Sequence, residues 1–239
     1  MNDQQSVTEM FDDISPRYDF LNHLLSFQID RIWRRKTSRL VTQSHPTAIL
    51  DVATGTADLA IRMAKDNPSA SITGVDLSEK MLEIGRQKIT KRKLDRRIRL
   101  MTADATHLPF SDNSFDAVTV AFGVRNFEYL EAGLQEMSRV VKNDGLVAIL
   151  EFSHPQKSLV KRPYRCYSRH VLPRIGRAFS KHQSAYSYLP ASIEAFPEYS
   201  EFCQMLKNHG ITDVGSKAFC GGIATLYSGH VQKKAAVLQ

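Results

Sequence analysis

At 239 residues, 42% of them hydrophobic, the chain is long enough to bury a substantial core as a single domain, 1–239. It has no apolar run near the ~18 residues of a membrane span. Neither its three cysteines nor its eight histidines show metal-ligand spacing, so no metal is expected. The small number of cysteines makes the cytoplasm the expected compartment. The net charge of +7 comes from residues 152–193, which hold eight Lys or Arg and no Asp or Glu, and this confinement argues against a general nucleic-acid binder.

The first 45 residues predict an N-terminal helical cap, 1–45. Apolar residues recur there at helical spacing up to Ile14, and Pro16 is placed to open a second helix. Farther on, aromatic side chains stand beside polar ones around Tyr18 and Trp33. This segment is expected either to cover a substrate as a lid or simply to pack on the domain as helices.

From residue 49 onward, short apolar runs alternate with amphipathic stretches, which predicts strands alternating with helices. In chain order we predict a strand ending near Val52, helix 56–67, strand 71–75, helix 79–91, strand 98–102, strand 115–122 and helix 129–141. Lys142-Asn143-Asp144-Gly145 predicts a turn before strand 146–152. Then follow a basic helical insertion, 152–193, interrupted by Pro163, Pro173 and Pro190, a helix over 196–209, and a hairpin of strands 211–219 and 223–231. This alternation is typical of an α/β fold with a parallel sheet, helices on both faces and ligands at the carboxyl ends of the strands.

Asp51 and Gly55 lie in the turn between the first strand and the next helix, where α/β folds often hold a ligand. A dinucleotide-binding turn needs three glycines so that the backbone can approach a pyrophosphate, but Gly55 is the only glycine between Asp51 and Ala60. Asp51 would also repel a pyrophosphate, whereas it would suit an ammonium or a sulfonium. Asp76, about twenty residues further on, suits the two hydroxyls of an adenosine ribose. The pattern therefore favours S-adenosylmethionine over NAD, and a turn without any ligand is the remaining alternative.

Several motifs along the chain support this interpretation when they are taken in order. They are Tyr18-Asp19 with Asn22, Ser26 and Trp33; Leu108-Pro109-Phe110; Gly123-Val124-Arg125-Asn126-Phe127; Arg139-Val140-Val141-Lys142 with Gly145, Glu151 and Ser153; and Val171-Leu172-Pro173-Arg174-Ile175-Gly176. With them the chain resembles the C-methyltransferases of menaquinone and ubiquinone biosynthesis, the UbiE/MenG type, over nearly its whole length. It departs from that pattern at Asp30, where the family usually has a histidine, and at Asp144, where the family usually has a glycine.

The resemblance implies a class I S-adenosylmethionine-dependent methyltransferase (Rossmann-like) fold, with a mostly parallel seven-stranded sheet whose last strand is antiparallel. It also implies methyl transfer from S-adenosylmethionine to a ring carbon of a prenylated quinol. Demethylmenaquinol is the expected substrate, and a benzoquinol of the ubiquinone pathway stays open. By motif match, Thr56, Asp76, Asp104 and Ala105 contact the cofactor, and Ala121 lines the same site.

A ring carbon becomes a good nucleophile only when a neighbouring hydroxyl ionises. Phenols do so near pH ~10, so the site must stabilise a phenolate or supply a base. Arg125 and Asn126, just past a strand end, are the predicted catalytic residues that hold the ring oxygens. Tyr18, a water molecule or a carboxylate such as Glu151 is expected to accept the proton.

A nucleic-acid methyltransferase or RNA-binding protein is the alternative of a different class. The confinement of the charge to 152–193 and the lack of a recognised RNA-binding module weigh against it, so no nucleic-acid partner is predicted. Because a prenylated quinol resides in a bilayer, the basic insertion is expected to touch an anionic membrane surface transiently. The sequence does not fix the oligomeric state, and a homodimer stays open.

Overall fold

The computed structural model of the protein describes residues 28–153, 155, 184–197 and 199–233, together with residues 9, 10, 12, 13, 15 and 26. Tyr18 and residues 156–183, which make up most of the predicted basic insertion, lie outside this set. Among the described residues, no helix combines the length and the apolar character needed to cross a bilayer.

The described chain forms one sheet with helices on both of its faces. Its strands are β1 (Ala48–Val52), β2 (Ser71–Asp76), β3 (Ile98–Thr102), β4 (Phe115–Ala121), β5 (Val141–Phe152), β6 (Ile211–Phe219) and β7 (Ala224–Val231). Its helices are α1 (Ile29–Gln43), α2 (Asp58–Asp66), α3 (Glu79–Lys91), α4 (Leu130–Val140), α5 (Ser184–Ala195) and α6 (Tyr199–Asn208), with a short 3-10 helix at Val124–Asn126.

The strand order across the sheet is β3-β2-β1-β4-β5-β7-β6. The strands from β1 to β5 pair in parallel, whereas β7 runs antiparallel to both β5 and β6. The α/β class, the seven strands and the antiparallel last strand are therefore confirmed. The direction of the strand order reverses between β1 and β4, and in such sheets a crevice opens there at the carboxyl ends of the strands.

The hydrophobic core lies on both faces of the sheet, because successive residues of a strand point to opposite sides. In β1, Ile49 belongs to the cluster that includes Trp33, and Leu50 belongs to the cluster that includes Leu134 and Phe202. Both β1 side chains are fully buried. Helix α1 packs against α2 and β5 with Trp33 turned inward, so part of the predicted N-terminal cap is a helix seated on one face of the sheet.

The predicted turn at Lys142-Asn143-Asp144-Gly145 is wrong, because these residues lie inside β5. The register with β4 shifts at this point, since Phe115 faces Val141 while Ala117 faces Leu146. Asp144 has a positive φ of 63°. A bulge and a turn need the same backbone freedom, so turn-forming residues in the sequence did not distinguish between them.

Details of the helices also differ from the prediction, and α6 begins at Tyr199 instead of residue 196. Helix α2 begins at Asp58 instead of residue 56, because Ala57 holds a left-handed φ of 65°. The sequence predicts an interruption at Pro190, but Pro190 lies inside α5. Ile193 and Phe196, in and just after the last turn of that helix, are buried, and their packing offsets the hydrogen bond that the proline removes.

Candidate functional site

A cleft of about 1010 Å³, including its open mouth, lies at the carboxyl ends of β1, β2, β3 and β4. It is lined by all seven residues predicted to bind the cofactor: Asp51, Gly55, Thr56, Asp76, Asp104, Ala105 and Ala121. Asn126 lines it as well, Arg125 does not, and Tyr18 lies outside the described residues. The structure therefore brings the predicted cofactor residues together, and their role as ligands stays a prediction.

The loop after β1 is wound through the left-handed region at alternate residues. Ala53, Gly55 and Ala57 have φ values of 50°, 54° and 65°. A side chain placed on Gly55 would meet nothing within 4 Å, so the positive φ and not crowding is what favours glycine there. For the two alanines such a conformation is strained, and strain of this kind is commonly held at functional sites.

Asp76 ends β2 and is braced by the backbone on both sides. Its Oδ2 accepts a hydrogen bond from the N–H of Gly55 at 2.8 Å, and its Oδ1 accepts one from the N–H of Ser78 at 3.0 Å. Burial raises the pKa of this carboxyl, and the backbone N–H groups counter that rise. Each carboxylate oxygen can accept a second hydrogen bond, so a rigid, double acceptor faces the cleft.

Asp51 is a buried carboxylate that no described residue neutralises with an ion pair. Its Oδ1 accepts a hydrogen bond from Thr119 Oγ1 and its Oδ2 accepts one from Thr54 Oγ1, each at 2.6 Å. Burial raises the pKa of Asp51 to about 6, although both threonines and the charge of Arg34 oppose the rise. A ligand that brings a positive charge beside Asp51 would therefore be favoured.

Two further cofactor candidates are held by contacts within the site. Thr56 Oγ1 accepts a hydrogen bond from Lys88 Nζ at 3.0 Å. Asp104 Oδ1 accepts one from the backbone N–H of Thr106 at 2.8 Å, which fixes the carboxylate at the end of β3. The polar side chains of this end of the cleft are thus orientated before any ligand arrives.

An apolar wall accompanies these polar groups. Leu77, directly after Asp76, lines the cleft and is 38% exposed, although it is a large aliphatic side chain. Met81, Ala105 and Ala121 line the same space. A flat apolar ring could cover this surface, in the manner of ligand pockets that are mostly apolar with a few fixed polar groups.

Arg125 is held away from the cleft by a buried ion pair. Its Nη1 lies 2.7 Å from Glu151 Oε1 and donates to the carbonyl oxygen of Phe122 at 2.6 Å. Its backbone N–H donates to Glu151 Oε2 at 3.2 Å, and its Nε donates to Ser192 Oγ at 3.3 Å. The side chains of Arg125 and Glu151 are 5% and 0% exposed. The guanidinium is therefore committed to the protein, and Glu151, the alternative base, does not line the cleft either.

Asn126 does reach the cleft, and a contact that sequence reasoning missed orientates it. The hydroxyl of Tyr188, on α5, donates to Asn126 Oδ1 at 3.0 Å. The two residues lie 62 positions apart in a segment without a repeating pattern, so no sequence signal indicated the contact.

Arg34 is a second site residue that the sequence analysis missed. It lines the cleft, and its guanidinium carbon lies 5.1 Å from the centre of the Phe122 ring. It forms an ion pair with Asp30, a buried carboxylate that also accepts a hydrogen bond from Ser26 Oγ at 2.6 Å. The spacing of Asp30 and Arg34 was the available signal, because residues four apart meet on a helix surface.

An aromatic cluster of Trp33, Phe122 and Phe152 contacts both Arg34 and Arg125. The Phe122 and Phe152 ring centres are 4.5 Å apart, and Trp33 lies 6.1 and 6.3 Å from them. The guanidinium of Arg125 lies 5.4 Å from the Phe152 ring centre, whereas that of Arg34 contacts Phe122. Of the three rings only Phe122 lines the cleft, where it gives this end an aromatic surface.

The strand order β3-β2-β1-β4 gives the cleft two chemically different ends, because its acids lie at β3, β2 and β1 whereas Phe122 and Asn126 follow β4. Asp51, Asp76 and Asp104 make one end acidic, which disfavours phosphate groups and favours a ligand with hydroxyls and a positive charge. Phe122 and Asn126, with Arg34 beside them, make the other end aromatic and rich in hydrogen-bond donors. An aromatic ring with oxygen substituents suits that end.

Comparison with known proteins agrees with the fold. An S-adenosylmethionine-dependent methyltransferase of Aquifex aeolicus has a solved structure that matches with a TM-score of 0.57 at 16% identity, covering 81% of this chain and 89% of that chain. At this identity the match shows the fold.

Closer relatives share much more sequence. A demethylmenaquinone methyltransferase of Bacteroides fragilis is 44% identical over 224 residues, covering 94% of this chain and 91% of the relative. A ubiquinone/menaquinone biosynthesis C-methyltransferase of Geotalea uraniireducens is 46% identical over 227 residues, covering 95% and 96%. The model of the ubiE/COQ5 methyltransferase family matches residues 1–231. The chain belongs to the ubiE/COQ5 methyltransferase family.

Proposed function

We propose that the protein transfers a methyl group from S-adenosylmethionine to a ring carbon of a prenylated quinol, with demethylmenaquinol as the substrate. The observation that carries this proposal is the division of one cleft into an acidic end and an aromatic, donor-rich end. The family description supports methyl transfer, and the name of the Bacteroides fragilis relative supports the choice of substrate.

The acidic end fits S-adenosylmethionine, which carries hydroxyls and positive charge but no phosphate. Asp76, braced by two backbone N–H groups, would accept hydrogen bonds from the ribose hydroxyls. Asp51 would face the positively charged groups of the methionine part, and Leu77 and Met81 would pack against the adenine. When bound, S-adenosylmethionine supplies a methyl group on a cationic sulfur that a carbon nucleophile can attack.

The task of the chain's own residues is to hold the quinol ring as a phenolate in the attacking position. Because Asn126 Oδ1 accepts the hydrogen bond from Tyr188, its amide nitrogen is the group that can donate to a ring oxygen. Arg34 offers further N–H donors beside the ring of Phe122. Tyr18 or a water molecule is proposed to accept the phenolic proton.

Arg125 keeps a place in the proposal as a positioning residue. Turning its guanidinium toward a substrate would leave the buried Glu151 carboxylate without its charged partner, at a cost of about 3–5 kcal/mol. Glu151 accepts hydrogen bonds from both the side chain and the backbone of Arg125. The ion pair is therefore proposed to fix the short helix Val124–Asn126 that presents Asn126 to the cleft.

We also propose that the protein attaches transiently to an anionic membrane surface at the inner face of the cell membrane, because a prenylated quinol resides in the bilayer. The eight bases of 152–193 have no acidic neighbour, and Tyr164, Val171 and Leu172 are interleaved with them. Each base near an anionic surface favours attachment. Most of this insertion lies outside the described residues, and its sequence pattern is what supports the contact.

Incubation with isotopically labelled S-adenosylmethionine and separate pools of demethylmenaquinol, a ubiquinone-pathway benzoquinol and RNA tests the function. Mass spectrometry is expected to find the label on a ring carbon of demethylmenaquinol. Label in the benzoquinol alone would reassign the substrate within the same reaction. Label in RNA, or in none of the pools, would overturn the proposal.

A further inference from the structure

Helix α1 has an exposed face that the chemistry of the cleft does not use. We call it the α1 basic face, and its exposed side chains are Arg31, Ile32, Arg35, Lys36 and Arg39. The one acid of the helix, Asp30, is buried and paired with Arg34, so this face presents four cations and no exposed acid. Ile32, 53% exposed, is one of three large apolar side chains left open to solvent in the described part of the chain.

The α1 basic face continues into a groove between α1 and the edge strand β6. Lys36, Arg39 and Lys217 line this groove, together with the apolar side chains of Leu40 and Leu226. The groove holds about 890 Å³ of space, including its open mouth. Positive charge and apolar surface are thus combined over a helix face and the neighbouring strand.

We propose that the α1 basic face, with the groove beside β6, is a docking surface for an anionic phospholipid bilayer. Its cations complement the headgroup phosphates, and Ile32 lies among them where it can enter the interface. A nucleic acid fits less well, because surfaces that bind single strands stack the bases on exposed aromatic side chains. The one aromatic residue of α1, Trp33, is 3% exposed and faces the core.

The position of this surface relative to the cleft explains why docking there would serve the reaction. Helix α1 carries Arg34 into the cleft and Arg35 outward, so a docked bilayer would lie about one helix diameter, ~10–12 Å, from the cleft wall. A substrate ring could then enter the cleft while its prenyl tail stays in lipid. This consequence rests on the proposed function, whereas the docking surface itself does not.

Sedimentation with vesicles tests the surface independently of catalysis. The variant R31Q/R35Q/R39Q removes three exposed charges spaced four residues apart on one helix face. The control K91Q/R96Q/R99Q removes three exposed charges near β3, at the opposite edge of the sheet from β6. Vesicles are made of phosphatidylcholine with or without phosphatidylglycerol, and circular dichroism verifies that each variant is folded.

The first variant is expected to bind phosphatidylglycerol-containing vesicles about tenfold or more weakly, because each surface base contributes separately. The control should bind like the unchanged protein, and Ile32→Ser, which keeps every charge, should also bind more weakly. Equal losses in the two triple variants would show a mere net-charge effect and overturn the proposal. If R31Q/R35Q/R39Q lost binding to RNA but bound the vesicles like the unchanged protein, the proposed docking surface would be overturned as well.

Methylation of a short-chain, water-soluble quinol separates this inference from the proposed function. If R31Q/R35Q/R39Q loses vesicle binding while the unchanged protein methylates no quinol, the docking surface stands and the function fails. If the soluble quinol is methylated but vesicle binding is unaffected by the variant, the function stands and the docking surface fails.

Discussion

Replacing Asp51 with asparagine is expected to stabilise the ligand-free protein while it weakens cofactor binding. Burial raises the pKa of Asp51 from 3.8 to about 6. Near neutral pH the carboxylate is ionised in both the folded and the unfolded chain, so the raised pKa means that the folded state carries a penalty. This difference in pKa between the folded and the unfolded chain corresponds to a destabilisation of the folded state by ~3 kcal/mol.

The sign of the pH dependence follows from which state holds the proton. Between about pH 4 and pH 6 the folded chain keeps a proton that the unfolded chain has lost, so the free energy of unfolding falls as the pH rises through this window. Asparagine cannot ionise and lacks this fall. Its single acceptor oxygen replaces two, and the disturbed hydrogen bond to Thr54 or Thr119 costs about 1 kcal/mol. The net gain of Asp51→Asn above pH ~6 is therefore ~2 kcal/mol, or about 4–8 °C in Tm for a chain of this size.

Thermal unfolding followed by circular dichroism from about pH 4 to pH 8 measures this effect, and calorimetric titration with S-adenosylmethionine measures the loss of binding. Asp66→Asn is the matched control. Burial opposes ionisation of Asp66, but hydrogen bonds from Arg62 and Ser38 hold its pKa below the usual value. Asp66→Asn should therefore destabilise the protein near neutral pH, with the difference fading as the pH falls. A Tm gain for Asp51→Asn that is absent, or that does not change with pH, would refute the reasoning.

Three further predictions concern the cleft and the buried ion pair near it. Asp76→Ala is expected to weaken S-adenosylmethionine binding by roughly 1.5–3 kcal/mol in calorimetric titration, whereas the exposed control Glu83→Ala should leave it unchanged. Arg125→Ala is expected to lower the free energy of unfolding by about 3–5 kcal/mol in denaturant, because Glu151 loses its buried partner. The double variant R125M/E151M should recover much of this loss, and an Arg125→Ala protein as stable as the unchanged one would contradict the role of the buried pair. Asn126→Ala is expected to reduce kcat by about 10²-fold with little change in cofactor affinity, and an equal loss of affinity would contradict its assignment to the quinol end.

The acidic end of the cleft was predictable because each of its acids belongs to a different strand. Asp51 lies in β1, Asp76 ends β2, and Asp104 follows β3. Parallel strands place their carboxyl ends at one edge of the sheet, so recognising each strand separately was enough to bring the acids together. No knowledge of side-chain direction was needed for that step.

The aromatic, donor-rich end of the cleft was less predictable because its contacts join residues that are distant in sequence. Arg125 and Glu151 are 26 positions apart and meet because β4 and β5 are neighbours. The sequence places Arg125 just past one strand and Glu151 near the end of another, but no local pattern says that the guanidinium turns toward the carboxylate and away from the cleft. The contact of Tyr188 with Asn126 depends on how α5 returns to the sheet, which neither periodicity nor spacing encodes.

The two arginines near the aromatic cluster have a common consequence for the chemistry. Arg34 pairs with Asp30, and Arg125 pairs with Glu151, and both carboxylates are almost completely buried. Each pair is close to neutral, so under the proposed function Asn126 and Arg34 would offer a phenolate directed N–H donors without a large excess of positive charge. Methyl transfer from a sulfonium to a phenolate consumes one positive and one negative charge. An unpaired arginine would hold the phenolate charge on oxygen most strongly before the reaction, and would thereby raise the barrier. With both arginines paired, Asn126 and Arg34 could orientate the ring and still leave its carbon nucleophilic.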